Sequence, residues 1–161
     1  MRNYENACAK FYSNLKLQPF QMNSFEFRKD YFSDALLFKK IQSNWNIKKD
    51  YLKQSQKENR ELIITDINFK IVFASKNISR INGYQPQEIV GKSPVVFQGK
   101  ATSDATKQKI KAAINDLKPF KEVILNYKKN GETYWCEIEA YPMFDKNGDF
   151  QNYIALEKIA S

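Results

Sequence analysis

Apolar residues recur along the chain with two different periods, and the change of period falls near residue 60. From Asn3 to Leu17, Tyr4, Ala7, Phe11 and Leu15 follow one another at helical spacing, and Pro19 ends the segment. Asn23 and Glu26 stand at the spacing of a capping box. Phe25, Phe32 and Leu36 then share a stripe that Leu37 and Ile41 widen, which predicts a second amphipathic helix. A third helical stretch is predicted from Ile47 to Arg60. Ile47, Tyr51 and Leu52 are its apolar anchors, and its polar second half reads as a connector.

Beyond residue 60 the texture becomes β. Leu62–Thr65 and Ile71–Ala74 are short β-branched runs joined by Asp66-Ile67-Asn68-Phe69-Lys70. Short helical turns are predicted around Ile78–Tyr84 and Pro86–Val90, and a longer helix over Ser103–Leu117, stopped by Lys118-Pro119. Three strands follow, Phe120–Lys129, Thr133–Phe144 and Phe150–Ile159. Asn130-Gly131 and Asn147-Gly148 separate them, a residue pair that predicts type I′ hairpin turns. The elements add up to an α+β domain over 61–161, preceded by a helical extension over 1–60.

The alternation within the long strands is more specific. Tyr134, Cys136, Ile138 and Ala140 share one face, and Trp135, Glu137, Glu139 and Tyr141 the other. Ile124 and Asn126 oppose Val123, Leu125 and Tyr127, while Tyr153, Ala155 and Glu157 oppose Ile154 and Leu156. Neither face is polar throughout, so the sheet requires cover on both sides. The domain's own helices supply one layer. The N-terminal helices, with Phe32 and Leu36, or the same sheet of a second subunit are the available cover for Val123, Leu125, Tyr127, Trp135, Ile154 and Leu156.

Composition narrows the function classes. In 161 residues there is no histidine, which removes imidazole-ligated haem, His-containing zinc sites and histidine-activated nucleophiles. Cys8 and Cys136 fit no metal spacing and read as reduced thiols, so no metal site is expected. The net charge of +8 is uneven: residues 1–60 carry twelve Lys and Arg against six Asp and Glu, leaving fourteen against twelve for the rest. Nucleic-acid binding through the basic N-terminal helices is therefore one alternative, but the lysines are scattered, as on a solvated helix face, and argue against it. No apolar run suits a membrane span and nothing marks the chain for secretion, so a cytoplasmic location is expected.

Thr65-Asp66, Ile71-Val72-Phe73-Ala74-Ser75, Gly83-Tyr84, Glu88-Ile89-Val90-Gly91-Lys92-Ser93-Pro94-Val95-Val96-Phe97-Gln98-Gly99, Asn126-Tyr127-Lys128-Lys129-Asn130-Gly131 and Tyr134-Trp135 occur in order over about 61–160. Together they resemble a PAS domain, and within that family its light-oxygen-voltage (LOV) branch. The N-terminal region is similar to the extension of stand-alone bacterial PAS proteins. The resemblance implies a five-stranded antiparallel sheet with short helices on one face, a ligand pocket, dimerisation and signal relay.

It also implies which residues to inspect. The position of the photoactive LOV cysteine is Pro94, its neighbours are Ser93 and Val95, and the flavin-binding amides match Asn126, Cys136 and Glu157, with Gln98 retained. Pro94 has no nucleophile, so cysteine-adduct photochemistry is not expected, and no cofactor is expected in the pocket. Two readings of Asn126, Cys136 and Glu157 stand: a small polar ligand pocket, or a relic filled by Phe73, Phe97, Tyr134 and Tyr153, with Glu157 paired to a lysine or reaching solvent. The filled pocket is the expectation.

No catalytic constellation emerges. The expected function is a non-enzymatic sensory module, a homodimer acting in trans on a separate signalling protein. A flavin-dependent redox sensor using the same pocket is the alternative.

Overall fold

The β runs pair into one antiparallel sheet in the computed structural model, which describes residues 34–47 and 49–160. Its strands are β1 (Glu61–Thr65), β2 (Ile71–Ala74), β3 (Phe120–Tyr127), β4 (Thr133–Phe144) and β5 (Phe150–Ile159), in the order β2-β1-β5-β4-β3. The helices are α1 (residues 34–42), α2 (Tyr51–Lys57), α3 (Ser79–Asn82), α4 (Pro86–Ile89) and α5 (Asp104–Asn115). Two 3-10 turns, Lys76–Ile78 and Pro94–Phe97, complete the helical layer. The expected five-stranded α+β fold is thus present. The helices predicted before residue 34, and Phe32 with them, lie outside the described residues.

Local chemistry sets the element ends. Asp50 caps α2 by accepting from Lys53 N at 2.9 Å, and Asn59, at φ 50°, turns the chain out of it, so this helix is shorter than the 47–60 predicted. Ser103 accepts from Thr106 N at the start of α5, and left-handed Leu117 closes its end.

The predicted type I′ hairpin turns are not formed. Only the glycine of each Asn-Gly pair takes positive φ, at 87°, whereas type I′ needs it at both central residues. The chain instead makes longer loops with side-chain support: Asp145 Oδ1 accepts from the amides of Asn147 and Asp149, and Asn130 Oδ1 from that of Glu132. Asp66 supports the β1–β2 loop in the same way, through Asn68 and Lys70. Asp66 is a turn residue.

The sheet is apolar on both sides, and α1, α2 and Trp45 between them cover part of its outer face. Phe38, Trp45 and Tyr51 pack with Leu62, Ile64, Phe73, Met143, Ile154 and Leu156 in one buried cluster. Trp45 Nε1 donates to Asn152 Oδ1 at 2.8 Å, and Asn46 N to the Phe144 carbonyl at 2.8 Å, which pins this layer to β4 and β5. The stripe read from the sequence is rotated. Phe38 and Ile41 face the sheet, while Leu36 and Leu37 are 53% and 48% exposed.

Beside this cluster the outer face is ionic. Arg60 is buried; it donates to the Leu156 carbonyl and pairs with Glu137, Glu139 and Glu58. Lys121 and Lys158 complete the set around Glu137, whose carboxyl is held at about 2, chiefly by Arg60. The described residues include no helix long and apolar enough to cross a membrane.

Phe38→Ala and Trp45→Ala should each lower the free energy of unfolding by about 3 kcal/mol or more, measured by urea titration, because each empties a filled site. Leu36→Ala should change it by less than about 0.5 kcal/mol. A large loss at Leu36 and a small one at Phe38 would reverse the assignment of faces.

Candidate functional site

The inner face holds a cavity of about 420 Å³ between the sheet and the helical layer, a size within the roughly 300–1,000 Å³ of small-molecule pockets. Strand parity builds one side: Ile124 and Asn126 from β3, Ile138 and Ala140 from β4, Tyr153, Ala155 and Glu157 from β5. These are the positions the alternation assigned to one face. The opposite wall comes from α5, through Lys107, Ile110, Lys111 and Ile114, and from the segment Ser93–Gln98. No residue of α5 is fully buried: Ile110 packs partly on the cluster of Ile81, Ile124, Tyr134 and Cys136, and Ile110 and Ile114 also line the cavity.

The expectation of a filled pocket is corrected here. Phe73 lies in the outer cluster with Phe38 and Trp45, and cannot fill an inner cavity. Phe97 and Tyr153 form walls, with Tyr153 OH tied to the carbonyls of Lys118 and Ala113 at 2.9 and 3.2 Å. Glu157 neither reaches solvent nor pairs with a lysine. It is 4% exposed, and its one described side-chain partner is the Cys136 thiol, which donates to Oε2 at 3.7 Å.

That environment sets the electrostatics. Burial without a cation raises the Glu157 carboxyl from 4.5 to about 7, with the Cys136 contact as a small opposing influence. Burial, and then the nearby Glu157 charge, push the Cys136 thiol far up, so it behaves as an inert small side chain. Asn126 Oδ1 and Thr65 Oγ1 are buried without hydrogen-bond partners among the described residues, and both residues line the cavity. Buried polar atoms are ordinarily satisfied, so orphaned oxygens in a cavity wall are places where a water or another molecule can bind.

Among the remaining sequence candidates, Ser93, Pro94 and Gln98 line the cavity, whereas Cys136 sits behind Glu157. Thr65 and Phe69 are wall residues that sequence reasoning missed. Phe69 takes φ 56°, a left-handed conformation that favours glycine, and packs on Phe150 and Tyr153.

The proposed interface residues divide. Ile154 and Leu156 are fully buried under the chain's own α1–α2 layer, so they are core and not contacts for a second subunit. Tyr127 holds the loop after Gln98: its hydroxyl accepts from Ala101 N at 2.9 Å, and its ring lies 2.5 Å from where a Cβ on Gly99 would stand. Val123 and Trp135 are exposed, and Leu125 lies opposite Trp135 in register, half-buried.

The residue at odds with a flavin in this lining is Glu157, since Gln98 and Asn126 keep amides that both donate and accept. An oxidised isoalloxazine edge offers several acceptor atoms and a single N–H donor, and amides suit it because they both donate and accept. Ionised, Glu157 would set a charge against those acceptors, whereas protonated it offers a single O–H donor in place of an amide.

A family model described as PAS domain matches residues 60–158. A blue-light-activated histidine kinase of Brucella canis is 35% identical over 85 residues, 53% of this chain and 17% of that protein. Protein TWIN LOV 1 of Arabidopsis thaliana is 33% identical over 88 residues, 54% of this chain and 22% of its own length. The chain thus covers under a quarter of either relative. Among solved structures, a light-oxygen-voltage domain studied with a flavin analogue has a TM-score of 0.65 at 25% identity, over 70% of this chain and 86% of the other. The dark structure of the blue-light photoreceptor Aureochrome1 LOV also has a TM-score of 0.65, at 26% identity, over 72% and 86% of the two chains.

A glutamate whose native carboxyl titrates above its unfolded value binds more protons folded than unfolded, so its burial is harmless in acid and costly once it must ionise. Stability should therefore fall as pH rises from about 4.5 through 7, by roughly 3 kcal/mol for this group. Chemical denaturation across that range should show the decline in the native sequence and its absence in Glu157→Gln. Parallel curves for the two would show that Glu157 is not the titrating group.

Proposed function

The chain belongs to the PAS domain family, and on that premise we propose that it is a sensory module whose inner cavity takes up a small organic ligand. The observation that carries the reading is the open cavity with the unpartnered Asn126 Oδ1 in its wall. An unneeded pocket would gain by closing over with apolar side chains, at no cost in orphaned polar atoms. A ligand there completes the burial of Ile110 and Ile114 and holds α5 to the sheet.

Output passes to a separate signalling protein. The module works as a homodimer through the uncovered part of the outer face, Val123, Leu125 and Trp135, with Leu36 on α1 adding to the apolar surface. It has no catalytic role of its own in this reading. The alternative of a flavin redox sensor is favoured by the likeness to LOV domains and opposed by Glu157 in place of an amide.

Native mass spectrometry of the freshly purified full chain should show a stoichiometric small molecule, and Ala155→Trp, which fills the cavity, should lose it. Its absorption spectrum should lack a flavin band in the blue. A flavin band would favour the redox alternative; no bound compound, together with no loss of thermal stabilisation by any metabolite in Ala155→Trp, would sink the ligand reading. Light scattering should give the dimer mass, with Trp135→Asp shifting it to the monomer.

A further inference from the structure

We infer that the cavity selects a flat, nitrogen-rich ring carrying an amidine or 2-aminoazole group, which donates its N–H groups to Glu157 and Asn126. This rests on the reading of the cavity as a ligand site and adds the chemical class of the ligand.

The argument begins with what the wall lacks. One oxygen of Glu157 takes the Cys136 thiol and the other has no described partner. Asn126 Oδ1, at 3% residue exposure, can only accept, and Thr65 Oγ1 is also unpartnered. The sheet side of the site therefore presents the Glu157 and Asn126 oxygens as acceptors, with Gln98, Lys107 and Lys111 as donors on the opposite wall, and a ligand seated on the sheet side needs donors of its own.

Charge sharpens the class. Every described lysine or arginine ion pair goes to another carboxylate, and Arg60 is spent on the outer face with Glu58, Glu137 and Glu139. The groups that bear on Glu157 from neighbouring elements are Cys136 on β4, Glu61 opposite it in register on β1, and Lys107 and Lys111 across the cavity on α5. Glu61 accepts from Ser75, and Lys107 pairs with Asp104 at 2.6 Å. Lys111 has no described ion pair, with Glu157 or any other carboxylate, so Glu157 is met either by a proton or, when ionised, by donors or a cation that the ligand brings.

Shape and hydration choose among cations. Ile63, Phe97, Ile124 and Ile138 make the walls apolar, which suits the faces of a ring. A compact ammonium is strongly hydrated and would enter such walls at high cost. A delocalised planar cation is weakly hydrated and meets a carboxylate with two parallel N–H donors, as guanidinium does.

The test is titration calorimetry of the full chain at neutral pH with benzamidine, 2-aminobenzimidazole, benzoate and riboflavin. The two amidine-type probes should bind, with net proton release read from buffers of different ionisation enthalpy, because Glu157 must ionise to accept them. Benzoate and riboflavin should not. Glu157→Gln should weaken the amidine-type probes by about tenfold or more, the share of a charge-assisted hydrogen bond.

Preference for benzoate or riboflavin, absence of amidine binding, unchanged affinity in Glu157→Gln, or binding without proton release each overturns the inference. Should the variant fail to fold, the proton release and the probe preference of the native sequence still decide. A copurifying compound that lacks N–H donors would overturn this inference while leaving the ligand reading intact, whereas the mass-spectrometric failure described above removes both.

Discussion

The structure turns on a sheet that is apolar on both faces. An antiparallel sheet can leave one face to water if that face is polar. Here Ile64, Phe73, Ile154 and Leu156 point one way and Ile63, Ile124, Ile138 and Ala155 the other, so neither can be abandoned. Residues 34–57 answer the first demand with aromatic rings that pack edge to face, Phe38 on Trp45 and on Phe73, Trp45 on Tyr51. The short helices answer the second only in part. The cavity is the part of the inner face that α3, α4 and α5 do not fill.

Strand parity also decides which carboxylates are compensated. Glu137 and Glu139 lie on the outer face of β4, where Arg60, Lys121 and Lys158 can reach them. Glu157 lies on the inner face of β5 and is buried with a thiol for company. Three acidic residues of one sheet thus acquire opposite electrostatic fates from the alternation of side chains. The outer set stabilises the sheet at neutral pH, and the inner one destabilises it there. A buried, uncompensated carboxylate is a burden on folding that a ligand's donors would relieve.

How much of this the sequence discloses depends on element length. β3, β4 and β5 run for eight to twelve residues, so their parity is unambiguous, and the inward placement of Asn126, Ala140 and Glu157 can be read directly. β2 is four apolar residues, Ile-Val-Phe-Ala, beside a register irregularity at Ile64 and Thr65. Nothing in such a run says which way Phe73 points, and the expectation of a filled pocket failed on that residue. The rotation of α1 is ambiguous in the sequence because Leu36, Leu37, Phe38 and Ile41 offer two overlapping stripes, and only tertiary contact selects Phe38 with Ile41. The Asn-Gly pairs were legible as turns but not as a turn type, since Asp145 and Asn130 supply side-chain acceptors that favour a longer loop. Empty volume is the hardest feature to foresee, because it is set by what three layers together fail to occupy.

Cavity and outer face are linked through one short piece of β5. Glu157 sits between Leu156 and Lys158, and each neighbour is held on the outer side. The Leu156 carbonyl accepts from Arg60 Nη1 at 3.3 Å, and Lys158 Nζ lies 3.7 Å from Glu137. Arg60 in turn is the first residue after the turn that ends α2, so it joins the covering layer to the sheet. Ionisation or pairing of Glu157 acts on a strand whose adjacent residues hold the ionic part of the outer face. The cavity-facing carboxyl and the contacts that fasten the covering helices are thus separated by the thickness of one strand, because successive residues of β5 point to opposite faces of the sheet.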